Sequence, residues 1–135
     1  MVNFLIVTHG EFGAYLVEAA EGIVGRQRGV RAVPISPRLS VPEIRERINR
    51  AVKELAGPAG LILITDMPGG TPNNLSFPIV KDLPRVEVIS GINLYMLVSG
   101  FSHRELPLEK LVEKVVADGQ RSIKDIRQMF VSRSR

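Results

Sequence analysis

The sequence predicts an α/β fold: a doubly wound, mainly parallel four-stranded sheet flanked by helices, in a single domain spanning residues 1–135. Three observations predict it. Residues 4–7, 30–35, 60–65 and 86–90 read as strands, and the first, an apolar run rich in β-branched residues and too short for a helix, reads as buried on both faces. Segments with apolar residues three and four apart, the period of an amphipathic helix, separate them. Gly and Pro punctuate the boundaries. Strands alternating with helices imply parallel pairing through right-handed crossovers. A chain of 135 residues, 44% hydrophobic and 24% charged, has an ordinary globular composition. It can bury roughly two-thirds of its unfolded surface.

The first run, Phe4 to Val7, ends at Thr8-His9-Gly10, and a helical pattern starts near Glu11 with Phe12, Tyr15, Leu16, Ala19, Ala20, Ile23 and Val24 on its apolar side. Gly25 and Gly29 precede the second strand, which stops at Ile35-Ser36-Pro37. Ser40 reads as the N-cap of a second helix with Pro42 and Glu43 in its first turn, and Val41, Ile44, Ile48, Val52 and Leu55 form its stripe. The third strand ends at Thr65-Asp66. The loop Met67-Pro68-Gly69-Gly70 follows, then a third helix that Thr71 can cap with Pro72 at its first position, running to about Lys81. After the fourth strand, Gly91 opens a segment, residues 92–100, that reads as helical. A last helix is expected over residues 107–128, with Leu108, Leu111, Val112, Val115, Val116, Ile123 and Ile126 on one face. The tail, residues 129–132, has strand-like residues that could extend a sheet edge or fray, and residues 133–135 are expected to fray.

Composition narrows the function classes. With no cysteine, disulfides and thiolate metal sites are excluded, and two histidines distant in sequence make a histidine-based zinc site a poor expectation. No metal and no cofactor is expected. No apolar run approaches the ~20 residues of a membrane span, and no signal peptide opens the chain, so no membrane insertion and a cytoplasmic location are the default expectations. The net charge of +4 comes with no Trp, two Tyr and no interleaving of basic and aromatic residues. Nucleic acid is therefore not expected as a partner, and a solvated basic face or attraction to an acidic protein patch explains the excess. His103, in Ser102-His103-Arg104, reads as an exposed loop residue.

The chemistry concentrates at two strand ends, Thr8-His9-Gly10 and Thr65-Asp66-Met67. Ligands bind outside the carboxyl ends of such strands, and free N–H groups at helix N-termini attract anions. Neighbouring strand ends would bring His9 within hydrogen-bonding reach of Asp66. A carboxylate holding one ring N–H fixes the tautomer, leaves the other nitrogen nucleophilic and stabilises the cation formed on attack. No Ser or Cys stands in front of the histidine, so His9 itself is the candidate nucleophile. Gly69 and Gly70 let backbone N–H groups approach an anion, and a hydroxyl from Thr8 or Thr71 could complete a phosphoryl cradle with Gly10. Each part also has a plain structural reading. A lone His can cap a loop, Asp66 can form an Asx-turn, and Gly-Gly is common loop punctuation. No Gly-x-x-x-x-Gly-Lys-Ser/Thr sequence is present, so nucleoside triphosphate hydrolysis has no support.

The segments Leu-Ile-Val-Thr8-His9-Gly10, Ile-Thr-Asp66-Met-Pro-Gly69-Gly70-Thr71-Pro72-Asn-Asn and Val-Ile-Ser-Gly91-Ile-Asn93-Leu-Tyr-Met96-Leu together resemble the enzyme IIA domain of the mannose class of the bacterial sugar phosphotransferase system. The resemblance covers essentially the whole chain in the same order. It implies a phosphotransferase in which His9 accepts a phosphoryl group from the histidine-containing phosphocarrier protein and passes it to a IIB subunit. That subunit is expected in trans, because the chain ends after the IIA-like region. Asp66 is implied to pair with the histidine, and Gly69, Gly70 and Thr71 to bound the phosphoryl site. A homodimer is also implied, with an antiparallel C-terminal edge strand, placed at residues 129–132, exchanged between subunits. Two departures stand out: Pro68 occupies a position where the family often has a bulky apolar residue, and Glu11 puts a carboxylate next to His9-Gly10. Glu11 is expected to face solvent or to stabilise the helix N-terminus. Two other readings stay open: a regulatory module whose phosphorylation state is sensed by partner proteins without sugar transport, and an anion-binding protein in which His9 and Asp66 only line a pocket.

Overall fold

The structure, a computed structural model, describes residues 1–134, with the side chains of residues 1–131. Its order is β1 (Asn3–His9), α1 (Phe12–Val24), β2 (Val30–Ile35), α2 (Val41–Leu55), β3 (Leu61–Thr65), α3 (Thr71–Val80), β4 (Val86–Ser90), α4 (Leu94–Ser102), α5 (Leu108–Arg121) and α6 (Ile126–Ser134). The four strands form one all-parallel sheet in the order β2-β1-β3-β4.

Alternation along the central strands splits the core into two layers. Phe4 and Ile6 of β1 and Ile62 and Ile64 of β3 point to one face, where Ala20 of α1, Met96, Leu97 and Phe101 of α4, and Leu108, Leu111 and Val115 of α5 cover them. Leu5, Val7, Leu61 and Leu63 point to the other face, under Ile44, Ile48, Val52 and Leu55 of α2 and Val80 of α3. This explains why β1 and β3 read as unbroken apolar runs: both faces need apolar side chains.

The topology locates the site. From β1 the chain crosses through α1 to β2 on one side, whereas β3 lies on the other side of β1. Connections leaving β1 and β3 therefore diverge, and a crevice opens between the two strand ends, the usual ligand position in such sheets. The register puts Val7 opposite Thr65 and His9 opposite Ile35, so His9 and Asp66 both stand at the rim of this crevice.

Some expectations need correction, and on α1 the expected apolar residues Phe12, Tyr15, Ala19 and Ile23 are exposed. The last helix does not run through residues 107–128. It ends at Arg121, where the Ser122 hydroxyl donates to the Gly119 carbonyl at 2.7 Å and the Asn93 side-chain amide donates to the same carbonyl at 3.2 Å. Asp125 then starts a new helix by accepting the Gln128 backbone N–H at 3.0 Å, an N-cap interaction that competes with helix continuation. Ile123 and Ile126, assigned by periodicity to the apolar face, are 82% and 55% exposed. The tail is helical in this single chain, Ile126–Ser134; the strand expected over residues 129–132 was one exchanged between subunits. The fraying expected of residue 135 lies outside the described residues. Finally, Gly70 rather than Thr71 is the N-cap of α3, with Thr71 the first helical residue, and no side chain caps that end. Ser40 caps α2 as expected, accepting the Glu43 N–H at 3.3 Å.

At the opposite end of the sheet Arg104 is 4% exposed and, among the described residues, forms no ion pair. Its guanidinium donates to the carbonyls of Val2 at 2.8 Å and Arg28 at 2.5 Å and lies 5.8 Å from the Phe4 ring centroid. Those bonds tie the end of α4 to the start of β1 and to the turn before β2. His103 is exposed, as expected, and donates its Nδ1–H to the Ser99 carbonyl at 2.7 Å.

Candidate active site

His9 ends β1, where Gly10, at φ 59°, turns the chain toward α1. That left-handed conformation suits glycine, and the Gly10 N–H donates to Ile35 O at 2.8 Å, fixing the turn against the end of β2. Thr8 holds the turn from below. Its hydroxyl is buried, accepts the Gly13 N–H at 3.1 Å and donates to Gly10 O at 3.2 Å. Thr8 thus satisfies a free donor at the start of α1, while Glu11, formally the N-cap residue, makes no side-chain cap and faces solvent. An added Cβ at Gly13 would stand 2.7 Å from the Thr8 hydroxyl, so only glycine permits this contact.

Asp66 approaches from the end of β3. Its Oδ2 accepts two bonds from the same residue: the His9 backbone N–H at 2.9 Å and the ring Nδ1–H at 2.6 Å. Its Oδ1 accepts the Met67 N–H at 3.0 Å, a bond to the next residue rather than the Asx-turn expected two residues on. The carboxylate is nearly buried, 8% exposed, and the imidazole half exposed, at 50%. Burial pushes the Asp66 carboxyl up, but hydrogen bonds from the His9 backbone and ring, together with the ring's charge, outweigh it and hold the group below the usual carboxylate range. An ionised Asp66 only accepts, so Nδ1 carries the proton. In the neutral ring that this pairing selects, Nε2 is the nitrogen that carries the lone pair.

The third part of the site is the turn before α3. Gly69, at φ 79°, makes the reversal, and an added Cβ at Gly70 would lie 3.0 Å from His9 Cε1 and 3.1 Å from Met67 Cγ. Gly70 therefore packs against the imidazole at Cε1. The opening residues Thr71 and Asn73 of α3 have N–H groups without an intrahelical partner by position, and Pro72 has none to satisfy. Asn74 donates its side-chain amide to Gly69 O at 3.1 Å, holding the turn. Met67 and Pro68 are exposed on the rim. The structure thus brings together His9, Asp66, Gly10, Gly69, Gly70 and the first turn of α3, and takes the Thr8 hydroxyl out of reach of a ligand.

Sequence reasoning missed the polar support of β3. The Thr65 hydroxyl, in a fully buried residue, lies 2.7 Å from Ser90 Oγ and 3.2 Å from Asn73 Oδ1. With one proton to give, Thr65 donates to Asn73 and receives from Ser90, linking the ends of β3 and β4 to the first turn of α3. A polar residue closing each of two adjacent apolar strands was the available signal. Asn93 was also underused. It caps α4 by accepting the Met96 N–H at 3.0 Å while donating to the end of α5. Among the described residues no group of three or more acidic, His or Cys side chains could hold a metal, and no helix is long and apolar enough to cross a membrane.

The family described as the PTS system fructose IIA component matches residues 3–117. The chain is 28% identical to the PTS system fructose-specific EIIA component of Bacillus subtilis, over 90% of its own length and 84% of that protein. It is also 28% identical to the mannose-specific EIIAB component of Escherichia coli K12, matching 98% of its own length but only 42% of that longer protein. Among solved structures it is similar to the phosphotransferase system component EIIA from Streptococcus agalactiae, with a TM-score of 0.85, 28% identity, and 95% and 99% of the two chains covered. The PTS IIA protein associated with the fucose utilization operon of Streptococcus pneumoniae aligns equally well, at TM-score 0.85 and 27% identity, covering 96% of each chain. A matched segment spanning nearly the whole sheet and its helices, together with these full-length likenesses, places the chain in the mannose/fructose class of phosphotransferase-system IIA components.

Proposed function

We propose that the chain is a phosphohistidine relay in which His9 accepts a phosphoryl group from the histidine-containing phosphocarrier protein and passes it to a IIB partner for sugar uptake. The observation that carries this reading is the 2.6 Å contact between His9 Nδ1 and Asp66 Oδ2, which leaves the lone pair on Nε2 of a half-exposed ring.

Transfer follows from that geometry. The Nε2 lone pair attacks phosphorus in line, the new N–P bond forms as the donor's N–P bond breaks, and the donor imidazole leaves with that electron pair. Each ring keeps the proton on its other nitrogen, so no proton has to move. His9 becomes an N-phosphoimidazolium, whose positive charge Asp66 stabilises. The backbone N–H groups of the 69–73 turn and the positive end of α3 offset the charge of the transferring group. Gly10, Gly69, Gly70 and Thr71 shape the phosphoryl site in this scheme, and Thr8 positions the His9-Gly10 turn from beneath. Met67 and Pro68 form an apolar rim that slows hydrolysis.

A homodimer belongs to the same proposal. Ile123 and Ile126 are each more than half exposed, and among the described residues no strand pairs with the outer side of β4; sedimentation at micromolar concentration tests it.

The function is tested by incubating the protein with enzyme I, phosphocarrier protein and phosphoenolpyruvate and reading intact mass. One acid-labile phosphoryl group is expected on the wild type and none on His9→Ala. A signal undiminished in His9→Ala would overturn the proposal.

A further inference from the structure

Thr65 closes β3 directly before Asp66 and is fully buried. Its carbonyl accepts the N–H groups of Gly91 at 3.0 Å and Ile92 at 3.1 Å, which fix it to the β4–α4 connection. Its hydroxyl receives from Ser90 at 2.7 Å and donates to the Asn73 side-chain oxygen at 3.2 Å. Among the described residues, the bond to Asn73 is the only hydrogen bond that joins α3 to the sheet.

Helix α3 has little else to fix its start. It is ten residues long, Gly70 gives it no side-chain cap, and Pro78 inside it has no N–H for the Asn74 carbonyl one turn back. Its apolar anchors Leu75, Ile79 and Val80 belong to the later turns, and of residues 71–74 Pro72 alone is buried. The buried Ser76 hydroxyl adds no tie, having no hydrogen-bond partner among the described residues. The Thr65–Asn73 bond therefore falls where the helix is least held by packing.

The His9 imidazole depends on the same spacing. It is held on two sides: Asp66 Oδ2 accepts the Nδ1–H at 2.6 Å, and Gly70 backs onto Cε1, where an added Cβ would come within 3.0 Å. Asp66 follows Thr65 in the chain, and Gly70 opens the turn that contains Asn73. One buried hydroxyl thus connects the two walls between which the ring stands.

We infer that Thr65, acting through Asn73, is a positioning residue for phosphoryl transfer: it sets the gap between Asp66 and the Gly70 turn and holds the free N–H groups of α3 at that gap. The inference rests on the relay proposed above. Fully buried, Thr65 touches neither the phosphoryl group nor a partner protein. Its loss should change the rate of transfer and not the recognition of the donor, since a misplacement of about 1 Å in a reacting constellation can cost roughly 100-fold.

The experiment follows transfer from the phosphorylated carrier protein to His9 by rapid quench across carrier concentrations. Thr65→Val, which keeps the shape and removes the hydroxyl, should lower the maximal rate about tenfold and leave the half-saturating carrier concentration unchanged. Thr65→Ser, which returns the hydroxyl, should restore most of the rate. Asn73→Ala should match Thr65→Val, and the double variant should be no slower than either, because both changes remove one bond. Ser99→Ala removes another buried hydroxyl, one that donates to Asp118 at 2.6 Å between α4 and α5. As a control for general destabilisation it should lower the melting temperature and change neither kinetic constant. A wild-type maximal rate in folded Thr65→Val or Asn73→Ala, a raised half-saturating concentration, multiplied losses in the double variant, or an equal fall in Ser99→Ala would overturn the inference and leave the relay standing. If Thr65→Val does not fold, Asn73→Ala decides between these outcomes. A wild type that takes no phosphoryl group from the carrier would remove the relay and the inference together.

Discussion

At the scale of single residues, the account turns on how three small groups hold one imidazole. Asp66→Asn keeps the shape but turns an acceptor-only group into one that can present an N–H to Nδ1, favouring the wrong tautomer. Phosphorylation of His9 should slow by roughly 100-fold or more, within the range of positioned acid–base partners, with circular dichroism unchanged. Gly70→Ala should also slow transfer, because its methyl would meet His9 Cε1 at 3.0 Å and displace the ring; phosphotransfer rate, not melting temperature, is the sensitive readout. Thr8→Val removes a buried hydroxyl that satisfies the Gly13 N–H. It should cost about 1–2 kcal/mol in denaturant unfolding. The pairing of His9 with Asp66 was legible in the sequence because both residues follow apolar strands. The direction of the Thr8 hydroxyl was not, because it depends on how closely Gly13 approaches, a property of packing rather than of composition.

At the scale of elements, periodicity located the helices that cover the sheet better than it located their buried faces. Helix α2 buries Ile44, Ile48, Val52 and Leu55 of its expected stripe, whereas on α1 Phe12, Tyr15, Ala19 and Ile23 are exposed and Ala20 alone of the expected apolar side is buried. Beyond Gly119, the chain leaves the core: an added Cβ there would lie 3.2 Å from Met96 Cβ, and the Asn93 amide and Ser122 hydroxyl take up its carbonyl. The apolar residues that follow, Ile123 and Ile126, keep helical spacing without a surface to bury, so spacing alone joined two helices into one. Asp125, three residues before Gln128, was the readable sign of a new start. The strand expected over residues 129–132 is one exchanged between subunits; in the single chain, which has no such neighbour, the segment is helical, since β-branched and aromatic residues favour a strand only where a neighbour pairs with them. Asp125→Ala should therefore weaken α6 alone, lowering helical content slightly while the main unfolding transition shifts by less than about 1 kcal/mol.

At the scale of the whole molecule, the order β2-β1-β3-β4 is what converts two strand ends into a site. Alternating strands and helices made the parallel sheet legible, and the right-handed crossover rule left β1 and β3 as neighbours. The same arrangement couples stability to pH. Asp66 is held below its ordinary range in the folded chain. Its contribution is therefore present above the unfolded carboxylate value near ~4 and lost as pH falls through the lower folded value. Stability of the wild type should decline on acidification more steeply than that of Asp66→Asn, as read by urea midpoints across that window; parallel curves would contradict the assignment. The central claim is that Asp66 reserves Nδ1 and leaves Nε2 to carry phosphorus. Multiple-bond proton–nitrogen NMR on the ¹⁵N-labelled, phosphorylated protein reads this directly. The account predicts phosphorus on Nε2 of His9 with Nδ1 protonated, whereas phosphorus on Nδ1, or on any other residue, would contradict it.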